Sequence, residues 1–446
     1  MKQELAEGKG AELKGGIKRN MYNEIKMADK GEAKRAYAKR LVSSHKLFIL
    51  LLILFITLLV QTLAWAKNTD QVGEFFKTFA KLNYDTWGNS IVETQDGYLV
   101  VGGVFDKSDS SHWGKVIKID KNGNKQWEKE LGKKARNSVF EKATMSDDNK
   151  VVLVGWVNAI LKPTYQGGSF SASSGWAIKL KTDGNVEWDR GLQIKEVLSS
   201  GDVKFNIKPV VLALDAKTTK KGNTIIVGSI RYGISDLPIF WKLDKKGNVL
   251  WSKRIERKQS ILPTTLYYLQ KNGVVVGGTS IDHDNGTLRA WIAKVDDSGN
   301  VLREKEVIGT GHVAITELRN GSLIVGRGAN HTKQQYVWLS KLKNNWDVEW
   351  EKRIESSGLC SINGLWATSD NEIIAIGGTC DNESERIWAA VFSESGELKS
   401  IKKFLSVNKL KINQAIPVGD DGFIVVGSGI EQKVDGSAAW VFRAKF

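Results

Sequence analysis

Ten residues, KIDKNGNKQW (118–127), return along this chain as KLKTDGNVEW (179–188), KLDKKGNVLW (242–251), KVDDSGNVLR (294–303), KLKNNWDVEW (341–350) and VFSESGELKS (391–400). Recurrence at a near-constant interval restricts the fold to an array of equivalent units. A second signature falls into register upstream. Hairpins such as SIVETQDGYLVVGG (90–103), TELRNGSLIVGRG (316–328) and AIPVGDDGFIVVGSG (415–429) place a polar turn before an apolar strand that ends in Val/Ile-Gly. That ending occurs at Gly102, Gly155, Gly228, Gly277, Gly326, Gly377 and Gly427, with spacings of 53, 73, 49, 49, 51 and 50 residues. A tryptophan opens the next strand in every unit: Trp113, Trp176, Trp241, Trp291, Trp338, Trp388 and Trp440.

Each unit reads as four short strands. Asp-Gly and Asn-Gly between apolar runs are hairpin signals, because both central positions of the favoured turns need positive φ. Period-2 alternation with β-branched residues excludes a helical reading. Seven four-stranded units at this period predict an all-β, seven-bladed β-propeller. The seventh unit ends at WVFRAKF446 after its third strand, and EFFKTFAKL (74–82) has the form of the missing fourth, with Phe75, Lys77 and Phe79 matching Trp127, Lys129 and Leu131. The expected fold therefore has an N-terminal strand closing the last blade, which removes two open sheet edges. The repeated Asp, Gly and Trp are expected to serve packing first, since every blade needs them.

The recurring units resemble those of bacterial and archaeal extracytoplasmic propellers built from PQQ-like-type repeats, whose units end in [KA]-L-D-x-x-x-G-x-x-x-W. The resemblance covers the chain beyond its apolar segment. It implies the fold and an extracytoplasmic setting. That family includes quinoprotein dehydrogenases and non-enzymatic scaffolds of outer-membrane protein assembly. This chain departs from it in placing glycine three residues after the aspartate (Asp120/Gly123, Asp244/Gly247), in having seven units, and in lacking an adjacent-cysteine pair. Sialidase-type Asp boxes use a shorter spacing than these units show.

Between Lys46 and Lys67 runs LFILLLILFITLLVQTLAWA, twenty residues without a charge. At about 1.5 Å per residue it is long enough to cross a hydrocarbon layer of about 30 Å. Lys34, Arg35, Lys39, Arg40 and Lys46 precede it, so the positive-inside rule sends everything after Lys67 out of the cytoplasm. The expected organisation is a basic cytoplasmic leader (1–46), a transmembrane or signal-anchor helix (47–66) and the propeller (67–446). Ala64-Trp65-Ala66 fits a signal-peptidase site, which would give a secreted product cleaved after Ala66, more so if translation starts at Met27. The net charge of +15 is shared between the leader, with twelve Lys/Arg against six Asp/Glu, and a thin excess beyond it. In that compartment nucleic acid is not an expected partner.

Short turns join strands one–two and three–four on one face, and length variation falls on the other. VNAILKPTYQGGSFSASSG (157–175) and GLQIKEVLSSGDVKFNIK (191–208) lie there, with SIRYGISDLPIF (229–240) adjoining. Tyr165, Phe170, Phe205, Arg231 and Tyr232 are the expected partner contacts, because aromatic residues and Arg anchor interfaces; mutual packing of the insertions is the alternative. Catalytic residues are not assigned. His112, His283 and His331 are placed in two–three links and His312 in a blade–blade link, without metal-ligand spacing, so no metal or cofactor is expected. Asp282-His283-Asp284-Asn285-Gly286 reads as a turn, since it lacks the later bidentate acid of a calcium loop.

Basic residues on fourth strands, Lys129, Lys253-Arg254 and Lys352-Arg353, suggest edge protection or contact with anionic envelope polymers. Cys360 and Cys380 flank the Asp370-Asn371 turn symmetrically and are expected to face each other as a disulfide outside the cytosol. The expected function is a non-enzymatic, membrane-tethered propeller that binds a protein or cell-envelope component through the insertion-bearing face. The alternatives are a secreted propeller enzyme (hydrolase, lyase or dehydrogenase) acting on a polymer or small sugar, and a surface assembly protein. Oligomeric state is not assigned.

Overall fold

The computed structural model describes residues 74–446 except 133–135, 161–170, 193–209, 233–234, 271–272, 329–335, 356–357, 380–384, 408–410 and 432–435. The described residues all belong to one unit, Asp70–Phe446. The expected leader and apolar segment lie outside them. Among the described residues no helix is long and apolar enough to cross a membrane.

Twenty-eight strands, β1 (Phe75–Phe79) to β28 (Gly436–Lys445), form seven antiparallel four-stranded sheets among the described residues. Six are consecutive meanders. The seventh has the order β1-β28-β27-β26, where β26 is Lys411–Val418 and β27 is Gly422–Glu431. In it Phe75 pairs with Arg443 and Phe79 with Ala439. The innermost strands of blades 1 to 6 are β2 (Tyr84–Thr94), β6 (Arg136–Met145), β10 (Val210–Thr218), β14 (Ser260–Tyr268), β18 (Thr310–Glu317) and β22 (Gly364–Ala367).

Seven hydrophobic clusters fill the seven junctions between neighbouring blades, including that of blade 7 with blade 1, where Ile424, Val426 and Val441 meet Ile91, Val100 and Ile117. Both faces of each sheet are therefore buried. Second strands such as that of Ile225-Ile226-Val227 accordingly run continuously apolar: Ile226 packs towards blade 2 and Ile225 and Val227 towards blade 4. Burial of each such side chain contributes about 1.5–3 kcal/mol.

The repeated turn explains its own residues. Asp120 Oδ1 accepts the N–H groups of Asn122 (2.9 Å) and Asn124 (2.8 Å), while Gly123 adopts φ +79°. Asp244 and Asp296 do the same for their turns. The tryptophan after each turn lies against the turn glycine of the next blade: Trp127 on Gly184, Trp188 on Gly247, Trp251 on Gly299 and Trp350 on Gly396. Phe75 of β1 covers Gly123 in the same manner. Basic residues two positions on complete the contact, Lys129 donating to Asn185 Oδ1 (2.9 Å) and Lys305 to the Trp346 carbonyl (2.9 Å). These fourth-strand cations hold neighbouring blades together.

One junction inverts the pattern. Blade 4 has Arg303 where blades 1, 2, 3 and 5 have tryptophan, and blade 5 has Trp346, at φ +68°, where blades 1 to 4 and 6 have glycine. Trp346 is buried with Leu269, Leu323 and Leu342, so the indole fills the junction from the opposite side.

Candidate functional site along the central channel

The innermost strands line the channel of a propeller. In six blades the register between the first two strands slips: at Gly88/Ser90, Phe140/Lys142, Ala213/Asp215, Pro263/Thr265, Thr310/Val313 and Ile412/Gln414. A β-bulge leaves one residue unpaired and re-aims its side chain. The Val/Ile-Gly ending makes room for it. A Cβ on Gly102, Gly155, Gly228 or Gly427 would stand about 2 Å from a first-strand carbonyl oxygen.

The bulged positions are Asn89, Glu141, Leu214, Thr264, His312 and Asn413, with Asn363 at the corresponding place in blade 6. All are half-buried beside buried neighbours. They form a ring around the channel, at the middle of the first strand in blades 1 to 4 and nearer its start in blades 5 and 7. Three asparagines bind successive blades. Asn363 Nδ2 donates to the Ile412 carbonyl (3.0 Å), Asn413 to that of Gly88 (2.7 Å) and Asn89 to that of Phe140 (2.9 Å). The following residue supplies an acceptor at three junctions: Ser90 Oγ for Ala143 N–H (3.1 Å), Asp215 Oδ2 for Leu266 N–H (2.7 Å) and Gln414 Oε1 for Ile91 N–H (3.0 Å).

Blades 2 and 5 carry ionisable groups instead. Glu141 accepts from Trp156 Nε1 (3.0 Å) and Asn89 Nδ2 (3.4 Å), and burial pushes its carboxyl above the ordinary range. Burial likewise lowers the Lys142 ammonium, against the pull of Asp215. His112 packs edge-on against Trp156, with centroids 5.2 Å apart, and burial lowers its imidazole. His312 Nδ1 is shielded from solvent and has no hydrogen-bond partner.

Burial, followed by the charge of Lys142, pushes His312 down to about 3. In an unfolded chain histidine titrates at about 6.5. Between those values the unfolded state binds the extra proton, so this group costs stability progressively as pH falls below about 6.5. Urea unfolding of His312→Asn is expected to lose less stability than the parent between about pH 6.5 and 4. Equal losses would contradict this environment for His312.

Of the sequence-predicted contacts, Tyr165, Phe170 and Phe205 lie outside the described residues. Arg231 closes on the buried Asp236 in a bidentate ion pair, with Nε to Oδ1 at 3.1 Å and Nη2 to Oδ2 at 3.1 Å. Asp236 also accepts from Ser229 Oγ and donates its N–H to Ser260 Oγ. Tyr232 pairs with Ser235 at the end of its hairpin. His312 belongs to β18 and to the ring, which corrects its placement in a link; the slip in register breaks the alternation by which a strand is recognised. His283 is exposed, and His331 lies outside the described residues. The Asp282 carboxylate is held by its own loop, through Asp284 N–H (3.0 Å) and Asn285 Nδ2 (2.8 Å).

Cys360 is buried and carries no free thiol. The direct opposition expected of it needs correction, because the ladder slips beyond Gly364 and the next bridge joins Leu359 to Thr379. Cys360 N–H therefore meets the Gly378 carbonyl (3.2 Å). Cys380 lies outside the described residues. Among the described residues no group of three His, Cys, Asp or Glu could hold a metal ion.

No family model and no curated protein matches this chain. The resemblance to PQQ-like repeats thus extends to the fold alone. Among solved structures, the polysaccharide lyase Uly1 is 11% identical, with a TM-score of 0.51 over 80% of this chain and 90% of its own. The Dos1 propeller, at 11% identity and TM-score 0.44, covers 82% of this chain and 94% of its own. The β-propeller domain of the Trilobed protease from Pyrococcus furiosus, at 10% identity and TM-score 0.43, covers 84% and 96%. At such identities the likeness is one of fold.

Proposed function

We propose that this chain is a membrane-tethered, extracytoplasmic propeller that binds a protein or cell-envelope component through its insertion-bearing face. The observation that carries this reading is the asymmetry of the two faces. Turns on one face are tight and closed by their own aspartates. On the other, the connections 161–170 and 193–209 follow the second and fourth strands of blade 2. Long connections held by a rigid scaffold are where binding surfaces arise. Tethering and the extracytoplasmic side rest on the apolar segment 47–66 and the basic residues before it. Affinity capture from detergent-solubilised membranes tests the reading. Replacing 161–170 with a short Gly/Ser turn should abolish recovery of a partner seen with the parent chain while leaving the unfolding temperature nearly unchanged. Undiminished recovery would refute it.

We also propose that Cys360 pairs with Cys380. The Leu359–Thr379 bridge supports this, since it brings the two segments alongside each other. A loop of this length would contribute about 3 kcal/mol. Thiol titration of denatured, unreduced protein should find no reactive sulfhydryl, and two would exclude the pairing.

A further inference from the structure

We propose that a groove on the outer rim, at the seam where β1 meets blade 1, holds the phosphate of an anionic membrane lipid between Lys77 and Lys125; the inference rests on the tethered reading above. The groove has a volume of about 330 Å³, and Lys77, Thr78, Asn124, Lys125 and Glu128 line it. The repeat shows that this seam is built differently from the others. The residue that opens the fourth strand is Val186, Val249, Val301, Val348 or Leu398 in blades 2 to 6. In blade 1 it is Lys125, a cation.

The second difference is a slack contact. Lys129 and Lys253 donate to the asparagine of the next turn, Lys129 at 2.9 Å. Their counterpart Lys77 reaches Asn124 Oδ1 only at 3.5 Å and makes no ion pair among the described residues. An ammonium has three donors, so Lys77 keeps capacity for a ligand oxygen, and the exposed Thr78 hydroxyl beside it can donate as well. The nearby carboxylates do not cancel the charge. Glu128 is divided between Lys125 (3.0 Å) and the buried Lys115 (3.6 Å). Asp120 accepts from three groups of its own turn, while Glu74 and Glu130 pair with Arg443 and Lys81. Even without Lys115, the lysines Lys77, Lys121 and Lys125 face only Asp120 and Glu128. The groove is therefore cationic, and lysine binds phosphate as a point charge.

The place of the groove in the chain names the source of the phosphate. Phe75 pairs with Arg443 near the end of β28, so β1 starts on the side of the tight turns. Glu74 follows Ala66, the end of the apolar segment, by eight residues. Fully extended, these reach at most about 29 Å. Lys77 comes three residues later, so a chain held by that segment keeps the groove within reach of lipid headgroups, and anionic headgroups attract lysines close to the bilayer surface.

Flotation of the full chain with phosphatidylcholine vesicles reads the tether by itself, and a chain left in solution would refute tether and groove together. Thermal unfolding of the full chain in a neutral detergent then tests the groove alone. Dihexanoyl phosphatidylglycerol should raise the unfolding temperature saturably, and dihexanoyl phosphatidylcholine or inorganic phosphate at matched ionic strength should raise it far less. Lys125→Val installs the residue of the other blades, and Lys77→Met keeps the stem that packs beside Gly123. Each should move half-saturation to a lipid concentration at least about fivefold higher. Lys181→Gln, on the turn of the neighbouring blade, should leave it in place. The proposal is overturned if phosphatidylglycerol does not stabilise, if phosphatidylcholine or free phosphate matches it, if either groove variant keeps the parent response, or if Lys181→Gln loses it as they do.

Discussion

Deleting residues 74–80 from the full chain is expected to lower the unfolding free energy by about 5 kcal/mol or more and to leave a protein prone to self-association. Phe75 and Phe79 pack into the junction of blades 7 and 1, and Phe76 into that of blades 6 and 7. Three partly buried aromatic side chains at roughly half the full 1.5–3 kcal/mol each supply most of this figure. Stacking of Phe76 on Trp440, at 6.0 Å between centroids, and the β1–β28 ladder add to it. Loss of β1 also bares the edge of β28, an invitation to pair with another chain. Grafting 74–82 after Phe446 through a short linker should restore most of the stability. Chemical unfolding checks both, and a deletion variant as stable as the parent would contradict the latch.

Gly228→Ala should cost about 3 kcal/mol, a large loss for the addition of one methyl group. Its Cβ would lie 2.0 Å from the Leu212 carbonyl oxygen and 2.8 Å from the buried Trp241 ring, so the bulge or the indole must move. Overpacking costs about 1–3 kcal/mol where side chains can yield, and a backbone oxygen yields least. Gly191→Ala is the control. Nothing lies within 4 Å of a Cβ there, and its effect should stay within about 0.5 kcal/mol. Urea unfolding of the two variants decides, and similar losses would show that the Val-Gly ending does not accommodate the bulge.

That glycine also shows where sequence reasoning reached and where it stopped. The Val/Ile-Gly endings, the third-strand tryptophans and the Asp-Gly-Asn turns report packing that every blade repeats, so counting them gave seven blades. The bulges were not legible. An extra residue breaks alternation without leaving a compositional trace, and the ring of Asn89, Glu141, Leu214, Thr264, His312, Asn363 and Asn413 appears only once seven first strands are set side by side. Asparagine one residue after Gly88 and Ile412 was the signal available. The exchange of Arg303 and Trp346 was hidden similarly, because each residue makes sense only beside the other. Arg231 carried the signature of an interface anchor, yet Asp236, five residues on, holds it in place. Residues 161–170 and 193–209 lie outside the described residues, so Tyr165, Phe170 and Phe205 enter through the proposed face alone.

Hydrogen exchange of the intact chain, followed peptide by peptide, tests the closed ring most directly. If β1 completes the last sheet, alternate amides of 75–79 that bond to β28 will be protected and will open together with 439–443, since strands of one sheet exchange as a cooperative unit. Exchange of 75–79 at the rate of a free segment, beside a protected β28, would contradict a ring closed by this strand.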